Sequence, residues 1–418
     1  MATVPDGTLM QRAAAGLAAA CVSLLQTQPG FVYGANVAVL AGSGDNGGDA
    51  LYAAARLAER GASVTAVKAA EKIHEQALSA LMGAGGTVVA NIPPDTDLVI
   101  DGLLGIGGRG GLREPFATLA RQARQSDAVI VAVDLPSGID ADTGEVDGDA
   151  IRADVTMTFG TLKPGLLIDP GASHAGAVHL VDIGLDLTRH QAVADVLQNE
   201  DVANLLPRPT TESDKYRRGV LGLLAGSDRF GGAPVLATGG AIRGGAGMVR
   251  VVTTTEAAHA VRQHWPEAVI TEGDPARAGR VQAWVAGPGM GTDDAARSRL
   301  ASILGADVPI LVDADGITLL TQLRDELSRR DKPTLITPHA GELARLLDAD
   351  VTDIERRRLE HARRAASELN VTVLLKGSTT VVAAPGAQTV MVNPTGTPWL
   401  ATAGSGDVLS GVIGAFLA

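Results

Sequence analysis

The sequence predicts two α/β domains, each built from a parallel sheet that is covered by helices. Short runs of β-branched residues alternate with alanine-rich runs along most of the 418 residues, which is the pattern of parallel strands joined by helices. At about 150 residues per domain, this length allows two or three domains. The alternation lapses between residues 186 and 218, where polar residues cluster with Pro207 and Pro209. We therefore expect a domain junction there, with domains at residues 1–200 and 201–418.

Strands are expected in order along both domains. In the first domain they lie at residues 36–40, 63–67, 98–101, 128–134, 156–160 and 178–183, with a helix over 48–60 that Gly61 ends. In the second domain they lie at residues 220–225, 249–253, 283–286, 309–313, 334–336 and 371–376. An extended pair follows at residues 379–384 and 389–393, and a glycine turn then opens a last helix.

That last helix reaches Ala418 after only about three turns. It carries Val412, Ile413 and Phe416, which would need a covering partner. Either another segment packs there or the natural chain continues.

Composition excludes several classes of protein. Hydrophobic residues make up 45% of the chain, which excludes a disordered protein. The net charge of −12 argues against a nucleic-acid binder, although backbone N–H groups can hold a phosphate without basic side chains. Aromatic residues, at 3%, are too few for base-stacking platforms.

Two features bear on cellular location. The single cysteine, Cys21, cannot form an internal disulfide, which fits a reducing compartment. The apolar stretch at residues 13–25 is shorter than the about 20 residues that cross a bilayer, and Asp6 and Arg12 make a poor leader for export. We therefore expect a cytoplasmic protein with a packed N-terminal helix and no membrane partner.

A glycine loop follows the first predicted strand. Residues 42–49, GSGDNGGD, contain G-x-G-x-x-G between a strand and a helix, which presents N–H groups to an anion. With 51 glycines in the chain, chance spacing is frequent, so a plain tight turn remains an alternative. Asp45, Asn46 and Asp49 add polar oxygens, and Lys68 follows the second strand where a ribose-binding acid would stand. The loop predicts a nucleotide-like ligand but not a standard hydride-transfer site.

Two further strands of this domain end in a carboxylate. Asp101 is followed by the glycine-rich residues 105–111, and Asp134 is followed by residues 135–138. Carboxyl ends of parallel strands are where open α/β sheets bind ligands. One such acid could merely cap a turn, but two acids with two loops favour a binding site.

Three segments here resemble the NAD(P)HX epimerase family: GDNGGD at 44–49, DGLLGIG at 101–107 and VDLPSG at 133–138. They occur in the family's order, and the likeness covers about residues 8–186. It implies a Rossmann-like three-layer fold, with hydrated NADH or NADPH as the substrate and K⁺ as a cofactor. The implied substrate-binding residues are Asp45, Asn46, Gly47, Gly48, Asp49, Gly105, Ile106, Gly107, Gly108, Arg109, Gly110, Gly111 and Asp134, and the implied potassium ligands are Asn46, Asp101 and Ser137.

The chemistry implied is inversion at C6 of a hydrated dihydronicotinamide ring. Breaking and re-forming a C–O bond needs acid–base assistance, which a carboxylate on the pocket floor can supply. We therefore expect Asp134 to be catalytic, with Asp101 in support.

In the second domain the clearest motif is GSGD at residues 404–407, which opens a helix. Its N–H groups suit a phosphate that is being transferred, and Asp407 suits a general base. The alternative is an ordinary first-turn helix charge. Upstream, LKGSTT at 375–380 places a lysine and hydroxyl groups where they fit nucleotide phosphates. Further strand-end loops, at residues 231–233, 287–291, 313–315 and 337–342, indicate one large cleft.

Together these segments resemble the ribokinase-like fold and, within it, the ADP-dependent NAD(P)HX dehydratase family. The likeness runs from about residue 215 to 418, with GTPWL at 396–400 replacing the family's usual Gly-Asn segment and with the family's further C-terminal helices apparently truncated. It implies ADP or ATP and Mg²⁺ as cofactors, with Glu342 orienting the Mg²⁺ ion and Asp407 as the catalytic base. The implied substrate-binding residues are Ala233, Gly291, His339 and Asp407, and the implied nucleotide-binding residues are Lys376, Gly377, Ser378, Thr379, Thr380 and Gly406.

The two resemblances together predict a bifunctional repair enzyme. One domain would interconvert R- and S-NAD(P)HX, and the other would dehydrate the S form to NAD(P)H. We expect small-molecule partners only, namely the hydrate and an adenine nucleotide, and a homo-oligomer. The alternatives are a ribokinase-like small-molecule kinase with an accessory ligand-binding domain, and an N-terminal half that only binds or scaffolds.

Overall fold

The computed structural model describes residue 5 and residues 7–418 of the chain. The chain divides into two compact units between Ala192 and Val193. This division lies inside the segment where the strand–helix alternation lapses. The boundary between residues 200 and 201 stays a prediction for the functional domains.

The first unit alternates strands and helices. Its strands are β1 (Asn36–Ala41), β2 (Ser63–Lys68), β3 (Thr87–Val89), β4 (Leu98–Gly102), β5 (Val129–Val133), β6 (Val155–Phe159) and β7 (Ala177–Val181). Its helices are α1 (Thr8–Thr27), α2 (Asp45–Ala58), α3 (Glu75–Gly83), α4 (Phe116–Gln125) and the short α5 (Ala172–Ala175), with a 3₁₀ turn at Pro164–Leu166.

The sheet of this unit has the order β3-β2-β1-β4-β5-β6-β7, and every neighbouring pair is parallel. Val37 and Val39 of β1 pack into one apolar core with α1, α2 and α3. Ala38 and Leu40 of the same strand pack into a second core with α4. Because successive side chains of a strand point to opposite faces, the sheet is covered on both sides. The predicted Rossmann-like three-layer fold is confirmed.

Helix α1 is the one helix, among the described residues, that is long and apolar enough to cross a membrane. Its buried face includes Leu17, Cys21 and Leu25, and it packs on α2 and β6. A buried core helix can meet the same criteria of length and apolar composition as a membrane-spanning helix. The contacts agree with the packed helix expected over residues 13–25.

The second unit is a larger layered structure. Its strands are β8 (Ala194–Asp195), β9 (Val220–Leu224), β10 (Met248–Thr253), β11 (Val269–Glu272), β12 (Ala283–Ala286), β13 (Ile310–Val312), β14 (Thr334–Ile336), β15 (Thr372–Leu375), β16 (Thr380–Ala383) and β17 (Val390–Asn393). Its helices are α6 (Asn199–Leu205), α7 (Gly232–Arg243), α8 (Thr255–His264), α9 (Asp294–Leu304), α10 (Asp315–Leu320), α11 (Arg324–Ser328), α12 (Ala340–Leu347), α13 (Val351–Arg356), α14 (Arg358–Leu369) and α15 (Ser405–Leu417), with 3₁₀ turns at Pro275–Ala278 and Pro398–Leu400.

Its sheet has the order β11-β10-β9-β12-β13-β14-β15-β16-β17-β8. The strands from β11 to β15 are parallel, and β15, β16 and β17 pair antiparallel. Helices α7 and α15 pack on each other and over the central strands. The predicted parallel core and the extended pair are both confirmed.

Three strands, β3, β8 and β11, had no counterpart among the predicted elements. All three lie at or beside a sheet edge, and β11 is partly exposed along its length, with Val269 40% exposed. An edge strand lacks the run of buried apolar residues that marks a central parallel strand, so its sequence carries little signal.

Helix α2 begins at Asp45 rather than at residue 48 as predicted. Gly47 and Gly48 are poor helix formers, yet both lie inside the first turn. A Cβ on Gly47 would come within 2.4 Å of the Gly42 carbonyl oxygen. Close approach of two backbones therefore requires glycine here, which propensity alone does not register.

Candidate active sites

The first candidate site lies at the carboxyl ends of β1, β4, β5 and β6. The loop after β1 packs directly against the loop after β4, because a Cβ on Gly42 would lie 1.8 Å from the Leu103 carbonyl oxygen. The Gly42 N–H donates to the Gly102 carbonyl at 3.0 Å. These contacts fix the N-terminal turn of α2 beside the strand-end acids.

A cavity of about 390 Å³ opens between these loops. Of the predicted substrate-binding residues, Asp45, Asn46, Asp49, Gly105, Ile106, Gly107, Gly108 and Asp134 line it. The remaining five, Gly47, Gly48, Arg109, Gly110 and Gly111, are not among its lining residues. Arg109 is exposed and pairs with Asp140 and Asp142, and Gly111 packs against the Asp147 carbonyl.

The three predicted potassium ligands meet around one residue, Leu104. Asn46 Nδ2 donates to the Leu104 carbonyl at 2.9 Å and to the Val133 carbonyl at 2.6 Å. Ser137 Oγ accepts from the Leu104 N–H at 2.9 Å and donates to Asp101 Oδ1 at 2.7 Å. Asp101, Asn46 and Ser137 therefore form a single cluster with two backbone carbonyls.

The donor set of this cluster suits a potassium ion, because all its candidate ligands are oxygens. Asp101 is fully buried, and burial raises its pKa to about 6 against the Ser137 and Leu103 hydrogen bonds that lower it. No ion pair between Asp101 and a basic side chain is present among the described residues. A bound cation would supply the positive charge that compensates the negative charge of this buried carboxylate.

Asp134 is held in an unusual backbone conformation. Its φ of 67° is left-handed, which a non-glycine residue adopts at a cost. Its Oδ1 accepts from the Phe159 N–H at 3.1 Å and from Thr158 Oγ1 at 3.2 Å, and it pairs with Lys163. Lys163 Nζ also contacts Thr158 Oγ1 at 2.9 Å and the Phe159 carbonyl at 3.0 Å. The end of β6 and the lysine after it thus hold Oδ1 of this carboxyl group in place.

Asp49 is a second carboxyl group in the same cavity. It is buried, and its Oδ1 has no hydrogen-bond partner among the described residues. Burial, followed by the charges of Asp134 and Asp45, raises the pKa of Asp49 to about 8. The raised pKa favours the protonated form of Asp49, so the cavity places a proton-donating group near the Asp134–Lys163 pair.

The second candidate site lies at the carboxyl ends of β12 to β15 in the other unit. At its centre Lys376 Nζ donates to Asp313 Oδ1 at 2.7 Å, and Ser410 Oγ donates to Asp313 Oδ2 at 2.6 Å. Lys376 Nζ also lies 3.6 Å from where a Cβ on Gly406 would stand. The lysine loop after β15 and the glycine turn before α15 are therefore joined through Asp313.

Asp407 lies beside this centre in the first turn of α15. Burial is the main cause that raises its pKa to about 6, and the charges of Asp313 and Asp315 raise it further, whereas Lys376 lowers it. The carboxyl is therefore ionised at neutral pH but only moderately acidic, which suits a general base.

His339 and Glu342 form a reciprocal cap at the start of α12. His339 Nδ1 accepts from the Gly341 N–H at 3.0 Å, and Glu342 Oε2 accepts from the His339 N–H at 2.8 Å. The same Glu342 oxygen lies 3.8 Å from Lys376 Nζ. The imidazole is 56% exposed, and its Nε2 lies 3.5 Å from Glu342 Oε1.

Ala233 and Gly291 are brought together by the loop after β12. A Cβ on Gly289 would lie 2.7 Å from the Ala233 Cβ, and the Gly291 N–H donates to Asp315 Oδ2 at 2.9 Å. Asp315, which accepts from this loop, is also one of the charges that raise the pKa of Asp407.

The predicted nucleotide-binding residues 376–380 form the turn between β15 and β16. The Lys376 N–H donates to the Pro338 carbonyl at 2.8 Å, and Thr380 is the first residue of β16. Thr379 is buried, whereas Gly377 and Ser378 are exposed. A Cβ on Gly396 would lie 2.1 Å from the Ser378 carbonyl oxygen, so the segment after β17 packs on this turn.

Sequence reasoning missed Lys163 and Ser410. Each contacts a strand-end acid, Asp134 and Asp313 respectively. A lysine three residues after a predicted strand is a weak signal for Lys163, and Ser410 follows Asp407 at helical spacing. Only the fold shows which acid each one meets.

Comparison with known proteins agrees with this division. Residues 6–165 match the family model described as the YjeF-related protein N-terminus. Residues 221–418 match the model described as NAD(P)H-hydrate dehydratase.

Full-length relatives show the same combination. A bifunctional NAD(P)H-hydrate repair enzyme Nnr of Mycobacterium tuberculosis (strain CDC 1551 / Oshkosh) is 49% identical over 421 residues, covering 100% of this chain and 86% of that protein. The enzyme of the same name from Escherichia coli K12 is 38% identical over 91% of this chain and 75% of its own length. Among solved structures, an ADP/ATP-dependent NAD(P)H-hydrate dehydratase from Bacillus subtilis, co-crystallised with ATP and Mg²⁺, is 32% identical over 53% of this chain and 79% of its own, with a TM-score of 0.48. The chain belongs to the family of bifunctional NAD(P)H-hydrate repair enzymes.

Proposed function

We propose that the chain repairs hydrated NADH and NADPH by two activities, epimerisation in the N-terminal unit and nucleotide-dependent dehydration in the C-terminal unit. The observation that supports this most directly is that each unit carries its own strand-end site with a buried or half-buried carboxyl group beside a lysine. We assign residues 1–200 to the epimerase domain and residues 201–418 to the dehydratase domain.

For epimerisation, Asp134 is the proposed proton acceptor. When the C6–O bond of the hydrate breaks, the ring nitrogen supplies an electron pair, and the oxygen takes a proton from a carboxyl group of the site and leaves as water. Water then adds to the other face of C6 and gives up a proton to a carboxylate. Asp134 is suited to that step, because Lys163 and the Phe159 N–H hold its carboxylate in place.

We further propose that Asn46, Asp101 and Ser137 hold a potassium ion. The burial of the Asp101 carboxyl group and its hydrogen bond from Ser137 Oγ support this assignment. A bound cation would fix the positions of the loops after β4 and β5 and lower the free energy of the buried carboxylate.

For dehydration, Asp407 is the proposed general base. It would take the proton of the C6 hydroxyl while the hydroxyl oxygen bonds to the terminal phosphorus of the nucleotide. The bond from that phosphorus to the rest of the nucleotide breaks, so ADP would leave as AMP and ATP as ADP. Loss of the new phosphate group from C6, with a proton from the neighbouring ring carbon, restores the dihydronicotinamide. N–H groups at residues 404–406, at the start of α15, would bind the phosphoryl oxygens.

ADP or ATP is the proposed phosphate donor, with Mg²⁺. Residues 5 and 7–418 contain no group of three or more His, Cys, Asp or Glu suited to holding a metal. Mg²⁺ is commonly bound by one or two carboxylates together with substrate phosphates, and Glu342 offers such a carboxylate. The ion would supply charge neutralisation at the phosphates, while Lys376 to Thr380 and Gly406 would bind the nucleotide and Ala233, Gly291 and His339 the hydrate.

Two variants of the full chain test this assignment and serve as controls for each other. Asp134→Asn is expected to abolish interconversion of the R and S hydrates, followed by chromatography, and to leave ADP-dependent dehydration of the S hydrate intact. Asp407→Ala is expected to slow dehydration by at least ~100-fold, the usual scale for loss of a general base, and to leave epimerisation intact. Normal epimerisation in the first variant, or normal dehydration in the second, would remove that residue from its role.

A homo-oligomeric state and a cytoplasmic location complete the proposal. The one cysteine, Cys21, is buried in α1 and has no second cysteine to pair with, which fits a reducing compartment. Sedimentation of the purified chain tests the oligomeric state. An ordinary small-molecule kinase, the alternative, is disfavoured by the N-terminal match and would leave a stable phosphorylated product.

A further inference from the structure

Arg358 is a buried arginine that no part of the proposed chemistry uses. It is the first residue of α14, and it is 6% exposed. Its Nη2 donates to three backbone carbonyls, those of Leu375 at 3.3 Å, Lys376 at 2.8 Å and Thr379 at 3.2 Å. All three carbonyls belong to the end of β15 or to the turn that follows it.

These contacts determine which way the turn faces. The carbonyl of Lys376 and the N–H of Gly377 belong to one trans peptide unit, so they point in opposite directions. With the carbonyl bonded to the guanidinium, the Gly377 N–H points away from Arg358. An outward N–H beside Lys376 is what an anionic phosphate group requires.

The turn is fitted closely around the guanidinium. A Cβ on Gly377 would come within 2.4 Å of Arg358 Nη2, so a side chain at this position would displace either the turn or the arginine. On another side, Gly396 packs against the Ser378 carbonyl. The turn is therefore held by its carbonyls on one side and by the segment after β17 on another.

We propose that Arg358 is a positioning residue for the nucleotide, because it orients the Lys376–Thr380 turn through its carbonyls and thereby sets the affinity for ADP. It touches no reacting atom. The inference rests on the proposed role of that turn in nucleotide binding. An arginine suits this task because one planar guanidinium can donate to several carbonyls at once.

The same unit contains a matched control in Arg330. Its guanidinium is also partly buried and donates to backbone carbonyls, those of Ala306 at 3.2 Å, Val308 at 2.8 Å and Leu304. These carbonyls lie at the amino ends of the strands, the opposite edge of the sheet from Lys376. Loss of Arg330 therefore removes a similar set of hydrogen bonds without reaching the nucleotide turn.

The test compares Arg358→Met, Arg358→Lys and Arg330→Met in the full chain. ADP binding in the presence of Mg²⁺ is measured by titration calorimetry, KM for ADP and for the S hydrate by steady-state kinetics, and stability by thermal unfolding. We expect Arg358→Met to weaken ADP binding and raise KM for ADP by about tenfold or more, the scale of one lost charge-assisted hydrogen bond, with little change in KM for the hydrate. Arg358→Lys, which keeps the charge and one donor group, is expected to lie between this variant and the wild type and covers the case in which Arg358→Met does not fold.

Arg330→Met is expected to lower the unfolding temperature while ADP binding stays at the wild-type value. The inference is overturned if the Arg358 variants bind ADP as the wild type does, or if Arg330→Met weakens ADP binding to the same extent. If the wild type itself binds no ADP, the proposed function of the turn fails, and this inference fails with it.

Discussion

Asp134 and Asp407 illustrate how the environment of a carboxyl group sets what it can do. Asp134 is paired with Lys163 and accepts a backbone N–H, so its charge is compensated inside the protein. Asp407 lies beside the Lys376–Asp313 pair rather than in it, and burial raises its pKa to about 6. Both are proposed proton acceptors, but Asp134 is held by an ion pair of its own, whereas Asp407 lies outside the neighbouring ion pair.

Lys376 is expected to control the pH dependence of dehydration. Asp407 must be ionised to act as a base, so the rate is expected to fall about tenfold per pH unit below pH 6. Because Lys376 lowers the pKa of Asp407, Lys376→Met is expected to move this acidic limb to higher pH as well as to reduce activity. The exposed Lys332→Met serves as a control, and an acidic limb that stays in place in Lys376→Met would contradict the assignment.

Asp49 is expected to make the N-terminal unit less stable as the pH rises. Its pKa is raised to about 8 in the folded chain, above the ordinary value of about 3.9 in an unfolded chain. The protonated form is therefore favoured by folding, so this contribution is complete below about pH 4 and is lost as the pH rises through 8. Within that window the free energy of unfolding is expected to fall by up to about 1.4 kcal/mol per pH unit.

Denaturant unfolding of Asp49→Asn measures this directly. The variant is expected to lose most of the pH dependence between pH 6 and 8, because the pKa values of Asp101 and Asp407 are raised only to about 6. Asp127→Asn, at an exposed position, is expected to keep it. Equal pH dependence in wild type and Asp49→Asn would show that Asp49 is not protonated in the folded chain.

At the scale of elements, the turn between β1 and α2 forms a joint in which its backbone packs directly against the backbone of the loop after β4. Gly42→Ala would place a Cβ 1.8 Å from the Leu103 carbonyl oxygen, so the loops after β1 and β4 must separate. We expect epimerase activity to fall by about 100-fold, as displacements near 1 Å do in other active sites, while dehydration is kept. Gly83→Ala, where a Cβ meets nothing within 4 Å, is the control, and unchanged epimerisation in Gly42→Ala would contradict this account of the joint.

The same elements show what could be predicted from sequence. Central strands such as β1, β4 and β9 are buried along nearly their whole length, so their apolar runs located them and the acids that follow. Strands β3 and β11 are partly exposed at sheet edges, and β8 has two residues, so none had a distinctive pattern. The contacts of Lys163, Ser410 and Arg358 join residues far apart in sequence and required the fold.

For the whole molecule, the two sites are expected to act in sequence on one damaged coenzyme. The family's dehydratase acts on one epimer, so the N-terminal unit is useful to the C-terminal unit because it supplies that epimer. The two compact units divide between Ala192 and Val193, and each of the variants Asp134→Asn and Asp407→Ala leaves one unit unaltered.

The most direct test supplies a mixture of both hydrate epimers with ADP, K⁺ and Mg²⁺ and follows the absorbance of the reduced coenzyme to its end point. The wild type is expected to recover the whole mixture. Asp134→Asn is expected to stop at the share present as the S epimer, and addition of Asp407→Ala protein to that reaction is expected to restore full recovery. The account would be contradicted by full recovery with Asp134→Asn alone over the same time, or by no return of absorbance with the wild type.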